Sequence, residues 1–170
     1  HCISSAASDV YKRQNIGLIG LGAMGGAYAK HLITNNFNCY GIDIDKNNIS
    51  KFLNLGGSEI TYQNLFNKVD VVLISLPSLE AYKNVLENLK KLGKHTSNKI
   101  ILDMNTISIE DKINFKNEIK KFNIDMLDTP VSGTGAQAWE GDITVFASGD
   151  ETITKKYNDC LLYTSDAADD

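Results

Sequence analysis

The segment Gly20-Leu21-Gly22-Ala23-Met24-Gly25 sits between an apolar run at 16–19 and a stretch in which Met24, Tyr28 and Leu32, flanked by Ala29 and Ile33, share one helical face. No other feature of the chain restricts its fold as much. A lone G-x-G-x-x-G is a weak signal, because glycine-rich turns are common; between a strand and a helix it is far more specific. The first glycine permits a tight turn, the second lets the main chain approach a pyrophosphate, and the third lets the helix pack close to the strand. The helix N-terminus then offers unpaired N–H groups and the positive end of its dipole to an anion. Gly20, Leu21, Gly22, Ala23, Met24 and Gly25 are therefore candidate cofactor-binding residues.

Further apolar runs at 69–76 and 99–102, and a more mixed one at 124–127, are dense in Val, Ile, Leu and Met with little polar alternation. Strands covered on both faces read this way. Between them lie helix-period stripes: Leu79, Tyr82, Val85, Leu86, Leu89 and Leu92 behind Ser78 as N-cap, and Phe115, Ile119 and Phe122 behind Ser108 with Asp111 three residues on. The order strand, helix, strand, helix predicts an α/β fold, a doubly wound and mostly parallel sheet. Asp43 closes a strand predicted over Asn38–Ile42, 18 residues beyond Gly25. A carboxylate there accepts both hydroxyls of an adenosine ribose and repels an added phosphate, so NAD is expected in preference to NADP.

The two ends read differently from the rest. One legal coding of residues 4–14, read on the opposite strand one base in, translates as residues 160–170. Such a relation resembles a transposon-end tag from library preparation, translated on both strands. Residues 1–14 and 160–170 are accordingly expected to be tag, leaving 15–159 as one domain of gene sequence without linker or repeat. The only arginine, Arg13, falls in the tag, so the region 15–159 lacks the residue that commonly clamps the extra phosphate of NADP. Cys39 is the one cysteine left, which suits a reducing cytoplasm and gives no metal pattern. A formal net charge of −4 without a basic cluster argues against nucleic acid, and no apolar run approaches the about 20 residues that cross a bilayer.

The run from Ile16 to Gly25 resembles the opening of the β-hydroxyacid dehydrogenases, a family that includes 3-hydroxyisobutyrate dehydrogenase and tartronate semialdehyde reductase, with 6-phosphogluconate dehydrogenase and imine reductases as relatives. Three further segments agree in order and spacing. Val71 to Pro77 resembles the family's strand ending in Leu-Pro, and Asp103-Met104-Asn105-Thr106 its Asp-x-Ser-Thr. Asp128-Thr129-Pro130-Val131-Ser132-Gly133, with Gly141-Asp142-Ile143-Thr144, resembles its substrate-side signature. The resemblance implies a Rossmann-type domain in which Leu76 and Pro77 line the cofactor, Asn105 and Thr106 lie by the nicotinamide, and Ser132, Gly133 and Thr134 hold a substrate carboxylate. Two positions depart from the pattern: Asn105 stands for the usual serine and Thr134 for a second glycine.

The reaction so implied is hydride transfer between a small β-hydroxyacid and the nicotinamide. Its proton acceptor in the family is a lysine, with asparagine four residues later, on a helix beyond Asp159; no catalytic residue is assigned within the chain. The family's C-terminal all-helical domain is expected to be missing, the parent to be a homo-oligomer, and the chain alone to hold cofactor weakly at best and not to catalyse. Two rivals stay open: a non-catalytic dinucleotide-binding adaptor, consistent with Asn105 and Thr134, and an imine reductase relative, against which Ser132-Gly133 weighs. His31 and His95 are expected to be solvated, Asp103 and Asp128 to be structural, and Trp139 to be either packing or a pocket wall.

Overall fold

The computed structural model describes residues 15–95, 97–158 and 161. The segments read above as tag, 1–14 and 160–170, lie outside the described residues except for Leu161. Strand β1 (Asn15–Ile19) leads through the glycine turn into helix α1 (Ala23–Thr34), followed by β2 (Asn38–Ile42), α2 (Lys46–Asn54), β3 (Ser58–Glu59), α3 (Tyr62–Lys68) and β4 (Val71–Ile74). Next come α4 (Leu79–Lys90), β5 (Lys99–Asp103), α5 (Ile109–Lys120) and β6 (Ile124–Asp128). The described C-terminal part adds β7 (Val131–Ser132), α6 (Gly135–Glu140), β8 (Thr144–Val145) and α7 (Glu151–Lys156).

Six strands form one sheet in the order β3-β2-β1-β4-β5-β6, every pairing parallel, while β7 and β8 pair antiparallel apart from it. This is the doubly wound Rossmann-type arrangement that the sequence predicts. The strands alternate their apolar side chains between two cores. Ile16, Leu18, Val71, Leu73, Ile100 and Leu102 face α1 and α2, where Tyr28, Leu32, Ile49 and Phe52 cover them. Ile19, Val72, Ile74, Ile101 and Met126 face the other way, under Leu65, Tyr82, Val85, Leu89, Phe115 and Ile119. Each fully buried aliphatic or Phe side chain contributes about 1.5–3 kcal/mol by leaving water. Parallel strands need this cover on both faces, which is why their sequence shows continuous apolar runs instead of alternation.

Leu79 and Leu92 fall at or beyond the ends of α4, Leu79 being exposed, and Phe122 lies past α5 in a turn where Asn123 takes a positive φ of 63°. The apolar run at 69–76 contributes only Val71–Ile74 to the sheet, because Ser75 and Leu76 belong to the turn at its carboxyl end. His95 is not solvated. Its Nε2 is buried without a hydrogen-bond partner among the described residues, and its ring meets Phe66 edge-on at 4.7 Å.

Burial, reinforced by the Lys99 ammonium, lowers the His95 pKa below its ordinary 6.5. The unfolded chain therefore takes up this proton first. Stability from this site is complete above the ordinary value and declines as pH falls below it. Urea midpoints measured from about pH 8 to about pH 5 should drop below about 6.5, and His95→Gln should flatten that part of the profile. A profile unchanged by the substitution would remove His95 from the account.

Candidate functional site

The sheet order reverses direction between β1 and β4, and the turns that follow β2, β1, β4 and β5 line its carboxyl edge side by side. In open α/β sheets a ligand crevice forms at such a switch point. With strands about 4.8 Å apart, this row of turns extends about 14 Å from Asp43 after β2 to Asn105 after β5.

The three glycines of the turn have different surroundings. Gly20 has φ +89°, and a Cβ there would stand 2.0 Å from the Ser75 carbonyl oxygen. A Cβ on Gly25 would stand 1.9 Å from the Gly20 carbonyl oxygen, so α1 can rest on the turn only without a side chain. Gly22 has ordinary φ of −66°, is exposed, and its Cβ would meet nothing within 4 Å. The fold demands glycine at 20 and 25 and leaves the space above Gly22 open. Gly22 is also the N-cap of α1, where no side chain caps the helix and no acidic residue sits in the first turn. By contrast Asp45, Ser78, Ser108, Thr134 and Asp150 each accept a main-chain N–H at the start of their helices.

Asp43 is half-buried with its carboxylate fixed: Oδ2 accepts from the Leu21 N–H at 2.6 Å and the Asn48 amide at 3.3 Å, and Oδ1 accepts from the Asp45 N–H at 2.7 Å. The Leu21 side chain is buried in the core and its N–H is committed to Asp43, so Leu21 supports the turn and offers no donor. Ala23 is exposed and Met24 half-buried. A cavity of about 460 Å³ opens beside Gly22, Ala23 and Gly26, walled by Lys51 and Phe52 of α2 and by Trp139 of α6. Trp139 is thus a pocket wall as well as packing, with the Lys30 ammonium 4.6 Å from its ring centroid. His31 is half-buried and engaged with the Ala138 carbonyl at 3.0 Å, while Lys30 donates to the Trp139 carbonyl at 2.6 Å. Both α1 side chains thereby meet the carbonyl end of α6, where cationic or donor groups are favoured.

At the other end of α6, a Cβ on Gly135 would stand 2.9 Å from the Ala23 Cβ. This contact sets the Ser132–Thr134 segment next to the start of α1. Ser132 and Gly133 are exposed there, Gly133 with φ +146°. Thr134 is otherwise occupied: its hydroxyl accepts the Gln137 N–H, and its own N–H donates to Gln137 Oε1 at 2.9 Å, a reciprocal cap on α6. The side chain that departs from the family pattern is thus accounted for as a helix cap.

Leu76 is half-buried, and Pro77 and Thr106 are exposed on neighbouring turns. Asn105 is buried. Its Oδ1 accepts the Leu76 N–H at 2.6 Å, and its Nδ2 donates to Asp103 Oδ1 at 2.7 Å and the Ile74 carbonyl at 3.3 Å. Both amide donors are spent inside the protein. Asp103, fully buried, also accepts from the Tyr82 hydroxyl at 2.7 Å, and burial together with this carboxylate pushes the Tyr82 pKa far up, so the phenol stays a donor. The ammonium of buried Lys112 lies between Asp103 and Asp128 and donates to the Asn105 carbonyl at 2.6 Å. Asp103 and Asp128 are structural, as expected; Lys112 was not foreseen, although it stands three and seven residues before Phe115 and Ile119 on their buried stripe, which the exposed Lys116 and Lys120 do not.

No helix among the described residues is long and apolar enough to cross a membrane. The chain is 30% identical over 149 residues to the L-threonate dehydrogenase of Pectobacterium atrosepticum, covering 86% of this chain and 49% of that protein. It is 28% identical over 155 residues to the mitochondrial 3-hydroxyisobutyrate dehydrogenase of Homo sapiens, covering 88% of this chain and 44% of that protein. Among solved structures, a 3-hydroxyisobutyrate dehydrogenase from Salmonella typhimurium superposes with TM-score 0.78 at 25% identity, over 89% of this chain and 54% of the other. The chain therefore spans about half the length of the relatives it matches. The profile of the NAD binding domain of 6-phosphogluconate dehydrogenase matches residues 15–168, and the chain belongs to that family of NAD-binding domains.

Proposed function

We propose that the parent protein is an NAD-dependent dehydrogenase moving a hydride between a small β-hydroxyacid and nicotinamide, and that residues 15–159 are its NAD-binding domain. The observation that carries the cofactor half of this reading is Gly22, a glycine with open space above it on an uncapped helix start, between two glycines that packing requires. A main chain left bare without an internal reason fits the close approach of a pyrophosphate. Gly22, Ala23 and Met24 then supply N–H groups. The remaining lone pairs of Asp43 take ribose hydroxyls, and its charge disfavours the extra phosphate of NADP. Leu76, Pro77 and Thr106 border the nicotinamide end, and Ser132 and Gly133 hold the substrate carboxylate beside it, with Thr134 fixing the helix that follows.

NAD supplies the hydride acceptor when bound, and the protein must orient it and provide a proton acceptor. We place that acceptor on a lysine beyond Asp159, as the family resemblance implies. The dehydrogenase names of the relatives support a small hydroxyacid substrate. We assign the parent to the cytoplasm, on the single cysteine of 15–159, and expect a homo-oligomer. We further read 1–14 and 160–170 as tag; the strand relation between them supports this, and the profile match that continues to 168 weighs against it for 160–168.

Sequencing the source DNA across the codons that follow Asp159 tests these assignments together. The expected continuation encodes a helix with a lysine and, four residues later, an asparagine. An uninterrupted continuation without that lysine would move the assignment to a cofactor-binding adaptor or an imine reductase relative.

A further inference from the structure

The turns after β4 and β5 are not joined by main-chain pairing alone. The Asn105 side chain reaches across and accepts the Leu76 N–H at 2.6 Å, while its amino group returns one bond to the Ile74 carbonyl at 3.3 Å and another to Asp103 at 2.7 Å. Beneath it, Lys112 holds the Asn105 carbonyl at 2.6 Å and is itself held by the carboxylates of Asp103, 3.5 Å away, and Asp128. An ammonium this buried is retained only where its partners are fixed. The result is a clasp with a charged base, located where the row of edge turns ends opposite Asp43.

The position of the clasp decides what it can affect. If the ribose of the adenosine half meets Asp43 after β2 and the pyrophosphate meets Gly22 after β1, the remaining half of an extended dinucleotide lies over the turns after β4 and β5. Those are the turns that Asn105 ties together. Its side chain has no donor left for a ligand, so it acts through the main chain of Leu76 and of Asn105 itself. An alanine in its place makes none of these three bonds.

We propose that Asn105 and Lys112 are positioning residues for the nicotinamide half of the cofactor, setting the spacing of its two supporting turns without touching it. This rests on the assignment of the edge as an NAD site. The test is saturation-transfer NMR of NADH with the 170-residue chain, which reads adenine and nicotinamide protons separately and suits a weak complex. Asn105→Ala leaves the ion pairs of Lys112 in place and is the first variant; Lys112→Met is the second, with folding of both checked by circular dichroism.

The expected result is an adenine signal within about twofold of wild type and a nicotinamide signal largely lost in Asn105→Ala. An unchanged ratio of the two signals in a folded Asn105→Ala overturns the proposal, as does an equal fall of both, which would mark a purely structural role. Should Lys112→Met fold, the same selective loss is expected, and an unchanged ratio there would remove Lys112 from the clasp. A wild-type chain giving an adenine signal without a nicotinamide signal would overturn this inference and leave the NAD assignment standing; neither signal at saturating NADH would count against that assignment and this inference together.

Discussion

Gly25→Ala is expected to destabilise the chain by about 3 kcal/mol, although alanine is the better helix former by about 1 kcal/mol. The added methyl would stand 1.9 Å from the Gly20 carbonyl oxygen and 2.9 Å from its carbon. Both obstacles are main chain, in a turn already pinned by the Gly20 N–H to the Ile42 carbonyl at 2.9 Å. No rotamer change relieves such a contact, so α1 must lift from β1, and Tyr28 and Leu32 lose part of their burial. The steric term wins because overpacking against fixed atoms costs more than helix propensity returns. A shift of the urea midpoint measures it, and a midpoint equal to or above wild type would show that α1 does not rest on this turn.

Gly22→Ala should spare the fold and weaken cofactor binding. Nothing in the protein meets the new methyl and φ is ordinary, so the fold should lose no more than about 1 kcal/mol from the poorer N-cap. The methyl does occupy the approach to the uncapped start of α1. Overpacking a bound phosphate there by about 1–3 kcal/mol corresponds to a five- to 150-fold weaker complex, roughly the loss of any detectable signal from NADH. The pair of substitutions separates a glycine kept for packing from one kept for a ligand. NADH binding that survives Gly22→Ala undiminished would mean that the cofactor does not cross this turn.

The parallel sheet was legible because its strands are buried on both faces, and β1, β4 and β5 announce themselves as unbroken apolar runs. The region of α2, β3 and α3 gave no such signal. Strand β3 is two exposed residues, and α3 buries only Leu65 and Phe66, with Tyr62 packed at the edge of the core. Cofactor-side glycines and their division of labour were readable from spacing; what folding alone supplies is the obstacles, the Ser75 carbonyl at Gly20 and the Gly20 carbonyl at Gly25. Asn105 was read as a nicotinamide contact on the strength of resemblance. Its actual partners, Leu76 and Ile74, lie 29 and 31 residues away in sequence, and burial between two turns has no local signature. Thr134 was the reverse case, since a threonine followed three residues later by glutamine is a capping pattern written in the sequence, and the family resemblance directed attention to the substrate instead.

The most direct test of the account is an amide NMR titration of the chain with NADH and, separately, NADPH. Main-chain resonances of Gly22, Ala23 and Met24 should move progressively with NADH, and NADPH should need at least about tenfold more ligand for the same displacement, because Asp43 opposes its added phosphate. Resonances elsewhere moving while these three stay fixed, or NADPH displacing them as readily as NADH, would contradict it.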